Sequence, residues 1–102
     1  MQTTRYYRNT AFNAVRIFRA LSSASKDGEG FITVSEIARR CGIHKWTVSR
    51  TLDLYMQPIA EVVQPPELEA IGLQAKLVRL KNAAMTEQQL VNYLRLRRKI
   101  TL

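Results

Sequence analysis

Cysteine, histidine and long apolar runs are scarce in this sequence, and each shortage excludes a class of protein. The only cysteine, Cys41, cannot form a disulfide within the chain, which fits a reducing compartment. No apolar segment approaches the roughly 20 residues that a membrane-spanning helix needs. The opening stretch MQTTRYYRNT has two arginines and no apolar core, so it does not look like a secretory signal. A soluble, cytoplasmic protein is expected.

Groups that support catalysis are equally scarce. Cys41 and His44 have the spacing Cys-x-x-His, but the chain has no second cysteine or histidine to complete a zinc site. No glycine-rich phosphate loop is present, and Glu67 and Glu69 have no histidine near them in the sequence. The sequence therefore predicts a protein that is not an enzyme and uses no metal and no cofactor.

Acidic residues are few relative to basic ones. Sixteen Lys and Arg stand against eight Asp and Glu, giving a net charge of +8. The excess lies in residues 1–56, with nine basic and four acidic side chains, and in residues 82–102, with four and one. Residues 57–81 are neutral, with three of each. This balance favours a polyanionic partner, although many basic proteins bind no nucleic acid.

The first predicted helix begins at Asn9, a side chain suited to an N-cap, and ends in the loop KDGEG at 26–30. Its apolar residues recur at intervals of three, as in an amphipathic helix. They are Phe12, Val15, Phe18 and Leu21, with Ala11, Ala14 and Ile17 on a neighbouring stripe. One face of this helix is therefore expected to pack against the core.

A short strand at Phe31 and Ile32 is expected to precede the second helix. Thr33, followed three residues later by Glu36, has the signature of a capping box, which satisfies backbone amides at a helix start. The second helix should run from there to about Cys41.

The remaining chain predicts a third helix, a hairpin and a fourth helix. The third helix begins near His44 and stops before Pro58. Strands at 59–64 and 73–80 are joined by the proline-containing loop 65–72. The fourth helix starts at Thr86. Three helices already supply one small core, so the apolar stripe of the fourth is expected to pair with a second subunit; its residues are Leu90, Tyr93 and Leu94.

Between Val34 and Leu54, three small or apolar residues have the spacing of a helix-turn-helix. Ala38 lets two helices cross closely, Gly42 can take the positive φ of the turn, and Val48 fills the wedge between the helices. The buried face is completed by Ile37, Cys41, Ile43 and Leu52. The outward face of the third helix then mixes hydroxyls with cations.

The stretch ITVSEIARRCGIHKWTVSRTLDLY resembles the winged helix-turn-helix transcriptional regulators, especially the small bacterial and archaeal kind. The similarity covers about residues 10–81 and is strongest over 33–52. It implies a mainly α fold with a small β-hairpin (α+β), and a recognition helix at 45–56 lying in the major groove of double-stranded DNA. The domain divisions that follow are a basic arm at 1–8, a winged helix-turn-helix domain at 9–81 with its wing at 59–81, and a C-terminal helix at 82–102.

The candidate DNA-binding residues combine this resemblance with side-chain chemistry. Lys45 and Arg50 can pair with guanine O6 and N7. Trp46 either offers its face to a thymine methyl or the sugar-phosphate wall, or folds back onto the hairpin as core. The full set is Lys45, Trp46, Thr47, Ser49, Arg50, Ser35, Arg39, Lys76, Arg79, Arg5 and Arg8.

Two departures from the family pattern are notable. His44 occupies a cap position where the family commonly has Ser or Thr, although a neutral ring nitrogen can accept the same hydrogen bond. The wing tip carries Glu67 and Glu69 and no cation, which would repel phosphates. Lys76, Arg79 and Lys81 at the base of the wing are better suited to backbone contacts.

The expected function is a homodimeric, sequence-specific regulator of transcription, bound to double-stranded DNA in the nucleoid. Two alternatives stay open. One is a winged-helix protein-interaction module that docks through the hairpin and Trp46. The other is a non-specific architectural or plasmid-partition DNA-binding protein, which would discriminate little between its own site and random duplex. The sequence identifies no small-molecule effector.

Overall fold

Helix α1 is the longest element, and α2, α3, α5 and strand β3 all contact it. In this computed structural model residues 2–73 and 75–101 are described, with side chains for 9–73 and 75–97. The described residues form a compact α+β domain of five helices and one three-stranded sheet. None of these helices is both long and apolar enough to cross a membrane. The elements are α1 (Gln2–Lys26), β1 (Ile32–Thr33), α2 (Val34–Cys41), α3 (Lys45–Tyr55), β2 (Ala60–Val63), α4 (Pro66–Ala70), β3 (Leu77–Leu80) and α5 (Glu87–Thr101).

Helix α1 corrects two predictions. It begins at Gln2 and not at Asn9, so residues 2–8 continue the helix and are not an arm ahead of it. No proline or glycine interrupts them, and nothing local forces a start at Asn9. Phe12, predicted on the buried stripe, is 62% exposed. A strict spacing of three drifts by about 60° per step around a helix, so the buried face instead follows mixed spacings of three and four. Its buried apolar residues are Ala14, Ile17, Phe18, Ala20, Leu21 and Ala24.

Helices α2 and α3 are joined by the predicted glycine turn. The Thr33 hydroxyl accepts a hydrogen bond from the Glu36 amide at 3.0 Å, as the capping box predicted. Gly42 has φ of +67°, in the left-handed region where a side chain is strained, and its amide donates to the Ala38 carbonyl. Val48 is fully buried between the two helices. The sequence reasoning on this turn is confirmed.

The antiparallel sheet has the order β1-β3-β2, so the last strand lies between the first two. Val78 in β3 pairs with Ile32 of β1 and with Val62 of β2. The Val34 amide donates to the Lys76 carbonyl, which ties the start of α2 to the hairpin. The connection between β2 and β3, predicted as a loop, contains the short helix α4, because Pro66 at its first position and Glu67 and Glu69 in its first turn favour a helix start there.

Helix α5 belongs to the core of the same chain. Its start is capped reciprocally: Thr86 Oγ1 accepts from the Gln89 amide, and Gln89 Oε1 accepts from the Thr86 amide. Leu90 and Leu94 are buried against the core, and Tyr93 is half-buried beside them. The predicted dimerisation stripe is therefore wrong for Leu90 and Leu94, because the core of the same chain covers them, whereas the role of Tyr93 stays a prediction.

Candidate nucleic-acid interface

The outward face of α3 carries Lys45, Trp46 and Arg50, all exposed. Trp46 is 62% exposed, so it is not part of the core and does not fold back under the hairpin. The Arg50 guanidinium carbon lies 5.2 Å from the centroid of the Trp46 ring, one helical turn away. The negative face of the aromatic ring attracts the cation above it. This contact orders two long side chains on an otherwise open surface.

The opposite face of α3 explains why these residues point outward. Val48, Thr51 and Leu52 are buried against the domain, and Thr51 Oγ1 donates to the Thr47 carbonyl at 2.8 Å. At the helix start, His44 Nδ1 accepts from the Trp46 amide at 3.0 Å. This ring nitrogen therefore caps α3. Packing on one face and capping at one end together orient the outer face.

Thr47 and Ser49 are half-buried and less outward than predicted. Ser49 Oγ accepts a hydrogen bond from Lys76 Nζ at 3.1 Å, which links α3 to the base of the hairpin. Thr47 lines a cleft of about 230 Å³ between α1 and α3, together with Asn13 and Arg50. Both hydroxyls therefore lie at the edges of the α3 face.

A groove of about 600 Å³ opens between the start of α2, the start of α3 and the base of the hairpin. Its lining includes two ammonium groups, three hydroxyls, one amide, one imidazole and the indole; they belong to Lys45, Lys76, Thr33, Ser35, Ser49, Gln64, His44 and Trp46. Cations and hydroxyls around a shallow groove are the groups that hold phosphates and sugars. The tertiary structure thus brings together five of the predicted site residues, from α2, α3 and the hairpin.

Four candidates among the arginines are held by carboxylates or have side chains outside the described ones. Arg39 forms a bidentate ion pair with Glu36. Arg79 donates to Glu61 at 2.7 Å and lies 4.6 Å from the centroid of the Phe31 ring. The side chains of Arg5 and Arg8 fall outside the described residues, although their backbone belongs to α1.

Glu36 is the centre of the charge network on α2. It pairs with Arg39 and with Arg40, which also reaches Glu29 at 2.7 Å. Hydrogen bonds from Arg39 and Arg40 lower the pKa of Glu36 from 4.5 to about 2. This carboxylate is therefore ionised at any physiological pH and partly neutralises both arginines.

Lys45, Arg50 and Lys76, in contrast, form no ion pair with any residue that the structure describes. Arg50 contacts Trp46 and Lys76 contacts Ser49, both of which are uncharged. Positive charge without an ion-pair partner in the described chain therefore surrounds the groove and the outer side of α3.

The tip of the hairpin has a different chemistry. Glu67 and Glu69 lie in α4, and the following residues Ile71 and Leu73 are 69% and 54% exposed. An acidic and apolar surface does not suit a polyphosphate. The tip and the base of the same hairpin are therefore chemically distinct.

Cys41 is buried, and burial raises the pKa of its thiol. Its Sγ donates to the Arg16 carbonyl at 3.4 Å, while Arg16 Nη2 donates back to the Cys41 carbonyl at the end of α2. No group of three His, Cys, Asp or Glu side chains gathers within the described residues. Cys41 thus serves the packing of α1 on α2.

Sequence reasoning missed the contributions of α1 and of the residue that follows β2 in the hairpin. Asn9 and Asn13 line the cleft beside Thr47 and Arg50, and Gln64 lines the larger groove. The only sequence signal for the first two is their spacing of four, which places two amides on one helix face.

Comparison with known proteins adds no relative to this description. Neither protein-family models, nor curated proteins, nor solved structures give a match to this chain. The function is therefore argued from the chemistry of the face and the groove.

Proposed function

We propose that this protein is a winged helix-turn-helix regulator of transcription that binds double-stranded DNA, with α3 as its recognition helix. The observation that carries the proposal is the cluster of three cations at α3 and the groove: Lys45, Arg50 and Lys76 lack carboxylate partners among the described residues, while Arg39, Arg40 and Arg79 have them. Unpaired cations on the outer face of one helix match what the major groove of DNA offers, acceptors on guanine flanked by phosphates.

The roles of the side chains follow from where they lie. Lys45 and Arg50 face outward near the start and middle of α3, where base edges would be reached. Ser35, Ser49 and Lys76 line the groove beside it, and they suit the sugar-phosphate strand that borders the major groove. The base of the hairpin then acts as the wing contact, and its acidic tip stays away from phosphate.

The proposal includes binding as a homodimer to two half-sites one helical turn apart, about 34 Å. Leu90 and Leu94 cannot supply that interface, because they are buried within the chain. A mass measurement in solution, with and without DNA, tests this part. A monomer under both conditions would contradict it.

The function is tested by titrating duplex DNA against the fluorescence of Trp46, the only tryptophan of the chain. Duplexes from the gene's own upstream region and of random sequence are compared at two salt concentrations. A saturable change that is stronger with the upstream duplex and weakens steeply with salt is expected, because phosphate contacts release counterions. Equal affinity for both duplexes would favour the non-specific architectural role, and no binding at either salt would contradict DNA binding.

A second candidate function is a protein-interaction module, favoured by the exposed apolar and acidic hairpin tip. In that case the paired variant Ile71→Ser with Leu73→Ser would abolish binding of the partner and leave DNA binding unchanged. Loss of DNA binding in the same variant, with an unchanged melting temperature, would instead assign the tip to the DNA interface.

A further inference from the structure

Trp46 and Arg50 form the one described arginine–tryptophan contact on the proposed recognition face. The two residues are four apart on α3, both are exposed, and the guanidinium carbon is 5.2 Å from the ring centroid. Such a contact orders both side chains before any ligand arrives, so less conformational freedom is lost when they bind.

The contact with the indole leaves N–H donors of Arg50 available for other partners. A guanidinium has five N–H donors, and a ring on one side of it can engage only some of them. Arg50 also has no carboxylate partner among the described residues. Its donor edge is thus available for the O6 and N7 acceptors of guanine, which arginine contacts in pairs.

The indole then determines which base pair is preferred next to that guanine. Successive bases on a strand are about 3.4 Å apart, so the 5.2 Å between the Arg50 guanidinium carbon and the Trp46 centroid spans more than one base step and less than two. An arginine edge on guanine therefore brings the broad indole ring within reach of the adjacent base pair. In the major groove that pair presents the C5 position of a pyrimidine, which carries a methyl group in thymine and a hydrogen in cytosine.

We propose that Trp46 and Arg50 together recognise a two-base step, a guanine beside a 5-methylated pyrimidine. The pyrimidine is thymine or, equally, 5-methylcytosine, since both present the same methyl group to the indole. This inference rests on the proposed function and adds its base preference. It also makes binding sensitive to cytosine methylation wherever the step contains cytosine.

The test begins with selection of duplexes from a randomised library by the full chain. Enriched sites should contain guanine next to thymine. In the best site, uracil at that thymine removes only the methyl group and should weaken binding about fourfold, the effect of one buried methyl. Replacing the thymine by cytosine should weaken binding, and 5-methylcytosine should restore it. Substitution of the guanine by 7-deazaguanine removes N7 and should weaken binding about tenfold.

Variants assign the effect to the pair. Trp46→Ala should bind the thymine and uracil duplexes equally, and its fold should survive because the side chain is exposed. Leu54→Ala, an exposed apolar residue two turns further along α3, is the matched control and should keep the fourfold difference. Equal melting temperatures of the three proteins establish that folding is unchanged.

The outcomes separate this inference from the proposed function. Salt-sensitive, sequence-specific binding without a difference between thymine and uracil overturns the two-base step and leaves the regulator standing. A methyl effect that persists in Trp46→Ala also overturns it, because another residue then contacts the methyl. Absence of duplex binding at low salt overturns both.

Discussion

Helices α2 and α3 both expose cations, but the two sets differ in their partners. On α2, Arg39 and Arg40 are hydrogen-bonded to carboxylates. On α3, Lys45 has no ion pair within the described chain, and Arg50 lies over an indole. A phosphate that approaches α2 must compete with resident glutamates, whereas one that approaches α3 meets uncompensated charge.

The spacing of acidic residues accounts for this difference. Glu36 stands three and four positions before the two arginines of α2, an order that favours ion pairing along a helix. The same positions before Arg50 hold Thr47 and Trp46, and Asp53 follows it in the less favourable order. A net charge of +8 thus says little about where a polyanion binds until the pairing is known.

The difference between α2 and α3 is tested most directly by replacing one arginine on each helix by alanine and measuring DNA binding. Arg50→Ala should weaken binding about 10- to 100-fold through loss of a bidentate base contact. Arg39→Ala, the control on α2, should change affinity less than about threefold, since exposed paired charges contribute little. Fluorescence titration or mobility shift measures both. Similar losses would show that charge pairing does not decide the interface.

In the hairpin, the unpaired Lys76 and the paired Arg79 can be compared through the salt dependence of DNA binding. Lys76→Gln should lower the slope of log affinity against log salt by about 1, the loss of one phosphate contact. Arg79→Gln should leave the slope unchanged because that arginine is paired with Glu61. The slopes come from titrations at several salt concentrations, and an effect of Arg79→Gln equal to that of Lys76→Gln would refute the distinction.

The caps of the two helices should differ in their contribution to stability. Thr33→Ala removes the cap of α2 and should lower the free energy of unfolding by about 1 kcal/mol. His44→Ala removes the cap of α3 and should cost less, about 0.5 kcal/mol, because an imidazole is a weaker cap than a hydroxyl. Urea denaturation measures both, with His44→Ser expected to recover the loss. A larger loss in the free energy of unfolding for His44→Ala would mean that the imidazole also packs against neighbouring residues.

The smallest expected effect is the acid sensitivity of the α2 network. The folded pKa of Glu36 lies below its ordinary value of 4.5, at about 2. The ionised carboxylate therefore stabilises the native state above about pH 4.5, and this contribution is lost as the pH falls toward 2.

In thermal melts across this pH range, the melting temperature of the Glu36→Gln variant should decline less than that of the wild type. Asp53→Asn on α3 is the control, because Asp53 forms no ion pair with described residues, and its melting temperature should follow the wild type. A wild-type decline that Glu36→Gln leaves unaltered would contradict the assigned role.

Local sequence signals predicted the features for which a single residue type is required at a given position. A threonine hydroxyl at a helix start, a glycine with positive φ and a valine in a wedge depend on neighbours within a few positions, so Thr33, Gly42 and Val48 could be assigned from the sequence. The start of α1 could not, because Asn9 favours a cap but is tolerated inside a helix, and only the observed path of the chain shows that α1 continues through it.

The site was predicted in part. The outward set on α3 follows from its helical period, since burial of Val48 and Leu52 leaves Lys45, Trp46 and Arg50 on the other side. The sequence did not show which cations form ion pairs, because Arg79 lies opposite Glu61 only when the two strands pair. The burial of Leu90 and Leu94 depends on where α5 docks along α1.

The sequence by itself therefore determined the caps, the glycine turn, the helical face of α3 and the excess of positive charge, since these depend on residue type and short spacing. The tertiary structure decided which cations stay unpaired, which apolar stripe is buried and that Lys76 reaches Ser49, 27 residues away. Such contacts join residues distant in the chain. Local spacing carries no information about them, because they form only when the helices and the hairpin pack together.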